Sequence, residues 1–185
     1  SLVGSEMCIR DRSGIEGIEL EKELVEVANS LEITIAGPNG QGFVSTPANL
    51  CSQIVSPYPP LGNISIASQS GNILSAMLNQ ARARNIGIAR AISIGNQAQV
   101  DIAGYIRYFG KDPETKVIVS YVEGLPNGRD FYDSLKEVSG GKPVIIIRGG
   151  TTSDGAKAAS SHTGSMASDQ KIFETAVNQA GAILA

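Results

Sequence analysis

From residue 63 to the end of the chain, short apolar runs alternate with stretches in which apolar positions recur every three or four residues. The runs are "NISIAS" (63–68), "IARAISI" (88–94), "KVIVSYV" (116–122), "PVIIIR" (143–148) and "AILA" (182–185). They are short, rich in β-branched residues and close to continuously apolar, so they predict strands buried on both faces. The intervening stretches are amphipathic. Ile73, Leu74, Met77, Leu78 and Ala81 form one helical stripe, Phe131, Leu135 and Val138 a second, and Ile172, Phe173, Ala176 and Val177 a third. Strands of this kind separated by helices predict a parallel sheet covered on both faces and joined by right-handed crossovers.

The predicted fold class is therefore α/β: a flavodoxin-like, five-stranded parallel sheet over residues 63–185. Upstream, "SPYPPLG" (56–62) holds three prolines, which resist both helix and central strand, and reads as a linker. Residues 13–55 are expected to be the end of a domain whose beginning is missing. In them "ELEKELVEVANSL" places Leu20, Leu24, Val27 and Leu31 at helical spacing, and "EITIAGPNGQGF" reads as a strand running into a glycine-rich turn. One helix and one strand cannot bury their own faces, so the apolar side of that helix calls for a partner. Residues 1–12, "SLVGSEMCIRDR", read as a non-native leader and carry no functional expectation.

Composition narrows the partners. The chain has 185 residues, 42% of them hydrophobic, and a formal net charge of −3 with its cations scattered, which favours neither nucleic acid nor an anionic membrane. No apolar run approaches the roughly 18 residues of a membrane span. Two cysteines, Cys8 and Cys51, lack the number and spacing of a disulfide framework or a zinc site. A cytoplasmic protein with reduced thiols is expected, with no metal ligated by this chain.

Ligands of open parallel sheets bind beyond the carboxyl ends of the strands, so the loops after each strand hold the candidate chemistry. After the first comes "SQSGN", in which Ser70, Gly71 and Asn72 open a helix whose free N–H groups and dipole favour a phosphate; the same motif also reads as an ordinary serine cap. After the second comes "GNQAQVD", a tight turn at Gly95 and Asn96 with Asp101 capping the next helix. The third ends in "YVEGLPNG", placing Glu123 at the edge of the sheet. The fourth runs into "GGTTSDGAKAASSHTGS", about 17 residues without evident secondary structure, a length that usually signals function.

That loop contains His162, the single histidine, among small hydrogen-bonding residues. Its "GTTSDGAK" is a near miss to a nucleotide phosphate loop: Ala156 intervenes before Lys157, and Ala158 stands where a magnesium-binding hydroxyl is needed. Covalent phosphoryl transfer suits it better. A neutral imidazole can attack an acyl phosphate through one ring nitrogen, while a carboxylate on the other N–H fixes the tautomer and stabilises the developing positive charge. Glu123 is the candidate carboxylate. Backbone donors around Ser70–Asn72 and at Thr163 and Gly164 are the candidates for the phosphoryl oxygens. A flavin carrier is disfavoured, since there is no Trp and only five Tyr.

"GPNGQGF", "IASQSGN", "YVEG" and "GAKAASSHTGSMA", in this order, resemble the NDP-forming acyl-CoA synthetases, the family of ADP-forming acetate–CoA ligases and succinyl-CoA synthetases. The resemblance implies a phosphohistidine at His162 contacted by Glu123, a phosphate-facing helix start at Ser70, Gly71 and Asn72, and coenzyme A with its thiol end near Asn39 and Gln41. Gly95 and Asn96 join these as cofactor-binding candidates, and residues 13–55 are implied to be the C-terminal remnant of a Rossmann-type CoA-binding domain. It implies acyl-CoA and phosphate as substrates, and ATP or ADP with Mg2+ bound mainly by an ATP-grasp domain or subunit, in an enzyme that is oligomeric when complete. Gly40 in place of the more usual cysteine, and "SSHTGS" in the histidine loop, favour the acetate-type or a broader acyl-CoA branch over succinate. The alternative is a non-catalytic acyl-CoA-binding module of a larger protein such as an acetyltransferase fusion.

Overall fold

A computed structural model describes residues 14–54, 57–150 and 170–185. The elements in these residues are α1 (Gly14–Ser30), β1 (Gly42–Ser45), β2 (Leu50–Gln53), β3 (Leu61–Ser68), α2 (Gly71–Ala83), β4 (Ile88–Ser93), α3 (Ile102–Lys111), β5 (Val117–Val122), α4 (Gly128–Ser139), β6 (Val144–Arg148), α5 (Gln170–Gln179) and β7 (Ile183–Leu184). All five expected strands form close to their expected bounds. They pair in parallel in the order β4-β3-β5-β6-β7, the flavodoxin-type winding in which the chain leaves β3 to one side, returns across it and continues outward.

Alternation along the strands assigns the two faces, with a register shift between Ile88 and Arg90 of β4 that brings Ile88 and Ala91 to the same side. Ile66 of β3 and Ile88 and Ala91 of β4 pack against Leu74, Leu78 and Ala81 of α2 on one side. On the other, Ala67, Ile118, Val122, Val144 and Ile146 meet Ile106 and Phe109 of α3, Phe131 and Leu135 of α4, and Phe173 and Val177 of α5. Phe131 and Phe173 stack at 5.9 Å between ring centroids, joining α4 to α5. Ile172, expected in the apolar stripe of α5, is instead exposed; the stripe that packs is narrower, through Phe173 and Val177.

Three expectations upstream are corrected. The sheet has seven strands, because the β1–β2 hairpin adds antiparallel strands to the free edge of β4, with Phe43 opposite Ile92 and Val44 opposite Ala91. The sheet thus runs across the division expected at residues 55/56, and β3 opens at Leu61, inside the expected linker. The strand expected in "EITIAG" does not form. Glu32 turns at φ 56°, Ile33 N–H closes α1 by bonding the Ala28 carbonyl at 2.9 Å, and Ile35 N–H goes to Gln99 Oε1 at 2.5 Å. With its backbone bonded this way and the β4 edge taken by Gly42–Ser45, that segment has no strand partner. On α1, Leu20 and Leu24 are half-buried and Val27 is 50% exposed.

The amino-end edge of the sheet is tied by a polar network. Arg90 of β4 holds Asp112 with two hydrogen bonds, at 2.8 and 2.9 Å, and donates a third to Ser45 Oγ of β1 at 2.6 Å. Thr115 donates to Asp112 at 2.6 Å and meets Ser65 of β3 at 2.7 Å. The Arg90 guanidinium is the main reason that the Asp112 carboxyl is held down at about 2. One network thus connects β1, β3, β4 and the end of α3.

Candidate functional site

The crevice of a doubly wound sheet opens where neighbouring strands send their connections to opposite faces. Here that point lies between β3, which leads to α2, and β5, which leads to α4. Ser70 caps α2 by accepting from Ile73 N–H at 3.4 Å, and its carbonyl is held by the Ser68 hydroxyl at 2.6 Å. The serine-cap reading therefore holds geometrically. It is compatible with an anion site, since the first-turn amides of Gly71 and Asn72 are of the kind a helix leaves without an intrahelical acceptor.

On the β5 side, Glu123 follows directly after the strand and is half-buried. Gln69, only 7% exposed, spans the crevice to it. Its Oε1 accepts from the N–H groups of Glu123 at 2.5 Å and Gly124 at 3.0 Å, its Nε2 donates to the Gly124 carbonyl at 2.7 Å, and its own N–H donates to Tyr121 O at 3.1 Å. Gly149, at the end of β6, closes the third side; a Cβ there would strike the Tyr121 hydroxyl and come within 3.2 Å of Glu123 Cγ. Burial, reinforced by the Glu123 charge, pushes the Tyr121 phenol up, so it stays a protonated donor at neutral pH.

The glycine-rich turn packs against the α2 side of this edge. Asn96 N–H donates to Pro38 O at 2.8 Å, Asn39 Nδ2 to Asn96 Oδ1 at 3.4 Å, and Asn96 Nδ2 to Glu21 of α1 at 2.7 Å. Gly95 has φ 53° and lies so close to Pro38 that no Cβ fits. Gln41 bridges to α2, donating to Asn72 Oδ1 at 3.2 Å and accepting from Ser75 Oγ at 2.8 Å.

The structure thus gathers Asn39, Gln41, Asn72, Gly95 and Asn96 into one cluster, sets Ser70 and Gly71 at its inner end, and joins them through Gln69 to Glu123. His162, Thr163 and Gly164 lie outside the described residues. Sequence reasoning missed three participants. Tyr121 was readable, because residues i and i+2 of a strand share a face, which puts it beside Glu123. Gln69 and Gly149 had no such local signal. A largely apolar groove of about 340 Å3 between Phe43, Leu50 and Tyr108 has Arg90 in its wall, but that cation is already engaged by Asp112 and Ser45. Among the described residues no group of three or more His, Cys, Asp or Glu side chains could hold a metal ion, and no helix is long and apolar enough to cross a membrane.

Residues 61–185 match the family model for the succinyl-CoA ligase like flavodoxin domain. The chain is 42% identical to the ADP-forming acetate–CoA ligase of Methanocaldococcus jannaschii, over 94% of this chain and 24% of that protein. It is 39% identical to the alpha subunit of ADP-forming acetate–CoA ligase II of Pyrococcus furiosus, over 94% of this chain and 38% of the subunit. Among solved structures, the dinucleotide forming acetyl-coenzyme A synthetase 1 of Ca. Korarchaeum cryptofilum, in complex with phosphate and ADP, superposes with a TM-score of 0.85 at 40% identity, covering 91% of this chain and 37% of that one. The chain spans between about a quarter and two fifths of the length of these relatives.

Proposed function

From the premise that the chain belongs to the family of succinyl-CoA ligase like flavodoxin domains, we propose that it is the histidine-bearing part of an ADP-forming acyl-CoA synthetase. The reaction interconverts acyl-CoA, ADP and phosphate with carboxylic acid, CoA and ATP. The observation that carries this reading is the crevice between β3 and β5, which sets a half-buried carboxylate, Glu123, across from the capped start of α2.

The chemistry then divides among this chain's residues. A phosphate oxygen attacks the thioester carbonyl and the CoA thiolate leaves, giving an acyl phosphate whose phosphoryl oxygens face the amides of Gly71 and Asn72, with Thr163 and Gly164 supplying further donors. One ring nitrogen of His162 attacks phosphorus, the P–O bond to the acyl group breaks, and the carboxylate departs. Glu123 accepts from the other ring N–H and stabilises the imidazolium character of the phosphohistidine. A terminal oxygen of ADP then takes the phosphoryl group, regenerating neutral His162 and ATP. ADP and its Mg2+ are held mainly by an ATP-grasp partner, fused or separate. Asn39, Gln41, Gly95 and Asn96 form the wall against which the thiol end of CoA sits. Without that partner the chain makes no acyl-CoA.

The test uses the complete enzyme, γ-labelled ATP and Mg2+. Acid-labile, base-stable label in the wild type that His162→Ala abolishes is the expected result. No label in either, with CoA still bound, replaces the enzyme reading with that of an acyl-CoA-binding module.

A further inference from the structure

Gln69 has a place in the crevice that a residue needed only for packing would not require. Its side chain emerges from the end of β3, is 7% exposed, and spends both ends of its carboxamide on the turn after β5. The two N–H groups at Glu123 and Gly124 share its oxygen, and the Gly124 carbonyl takes its nitrogen. A side chain here substitutes for the strand neighbour that β5 loses beyond Val122, where the parallel ladder with β3 has ended at Ser68–Tyr121. Part-buried backbone groups at such a point need partners, and a carboxamide, with an acceptor oxygen and two N–H donors on one neutral head, satisfies both kinds.

From this we infer that Gln69 is the positioning residue for Glu123: it fixes the backbone on which that carboxylate stands, at the point where β3 and β5 part. The inference rests on the reading of Glu123 as the partner of the reactive histidine. Gln69 never touches the reacting atoms. Its occupation of the Glu123 and Gly124 amides also assigns the phosphoryl donors to α2 and not to the β5 turn, because those two N–H groups are already used.

The neighbouring contacts limit what else could do this. The Tyr121 hydroxyl and Gly149 border Glu123 from β5 and β6, and Gly149 N–H is taken by the Val122 carbonyl at 2.8 Å. Among the described residues, Gln69 is the one that reaches the turn from the β3 side with bonds in both directions. Gln69→Met keeps the length and apolar stem but loses all three side-chain bonds. Gln69→Glu keeps the shared acceptor, loses the donor, and sets a second negative charge close to Glu123, which raises the Glu123 pKa.

The experiment compares the complete enzyme with these two variants in rate of labelling from γ-labelled ATP across pH, together with amide exchange of the peptide spanning residues 121–126. The expected result is a labelling rate at least about tenfold lower in Gln69→Met at unchanged KM for ATP. In Gln69→Glu the expected result is partial recovery of rate, with the acid limb of the pH profile moved upward. A role in packing alone would lower the melting temperature of both variants and leave amide exchange at Glu123 and Gly124 as in the wild type, and that result, or a wild-type rate in Gln69→Met, overturns the inference. If the wild type takes no label, the functional reading fails by itself. The positioning is then decided by exchange: faster exchange at Glu123 and Gly124 in Gln69→Met sustains it, and equal exchange overturns it.

Discussion

Replacing Asp112 with asparagine removes one charge from the pair that ties β4 to the end of α3 while keeping the shape of the side chain. Asp112 is 7% exposed and its carboxyl is held at about 2, mainly by the two Arg90 bonds, against an ordinary value of 3.8. Folded-state depression of an acid means that its contribution is complete above the unfolded value and is lost as pH falls through the folded one. The difference between 3.8 and about 2 corresponds to about 2–3 kcal/mol at neutral pH. The substitution also leaves Arg90 facing a neutral amide, and removing one partner of a buried pair costs about 3–5 kcal/mol when the other charge stays uncompensated. Arg90 retains 21% side-chain exposure and its bond to Ser45, so the lower part of the combined range, about 2–4 kcal/mol, is expected. Urea unfolding of wild type and Asp112→Asn at intervals from pH 7 to pH 2 measures it. The gap between the two should be largest at neutral pH and narrow between about pH 4 and pH 2. Parallel curves over that interval would refute the assignment of the depressed carboxyl to Asp112. The consequence reaches the site, because Arg90 also anchors Ser45 of β1, the strand that follows directly on Gln41.

Two further outcomes are expected at the site itself. Gly95→Ala places a Cβ against the Pro38 carbonyl at a backbone φ of 53°, so the Asn39–Asn96 contact should open and, if the proposed CoA wall is right, CoA binding by the complete enzyme, followed by calorimetry, should weaken by about tenfold or more; unchanged affinity would remove Asn39 and Asn96 from that proposal. Gly149→Ala drives a methyl group into the Tyr121 hydroxyl beside Glu123, and should lower histidine labelling while leaving CoA affinity intact, a separation that equal loss of both would contradict.

What was legible in the residues is what short-range physics decides. Buried parallel strands read as apolar runs, and all five formed because an extended backbone lets "ISIAS" or "VIIIR" turn successive side chains to both covered faces of the sheet. Ser70 and Asp101 sit where a helix needs a side-chain acceptor, and both serve as caps in the fold. Because ligands of such sheets bind beyond the carboxyl ends of the strands, the sequence also placed Glu123 and the start of α2 on one edge.

The rest depended on pairings between residues far apart in the chain. "EITIAG" has a strand's composition, but a strand exists only beside a partner, and the open edge of β4 was taken by Gly42–Ser45, whose register places Val44 against Ala91. Gln69 lies 54 residues before Glu123, and nothing near it in the sequence marks its carboxamide as the clamp on that turn. Gly149 is needed because Tyr121 and Glu123, from β5 and the turn after it, occupy the space that its side chain would fill. Periodicity and caps are properties of neighbours along the chain, whereas the edge a segment fills and the turn a side chain holds are settled when the sheet winds, because only then do the competing partners stand within reach.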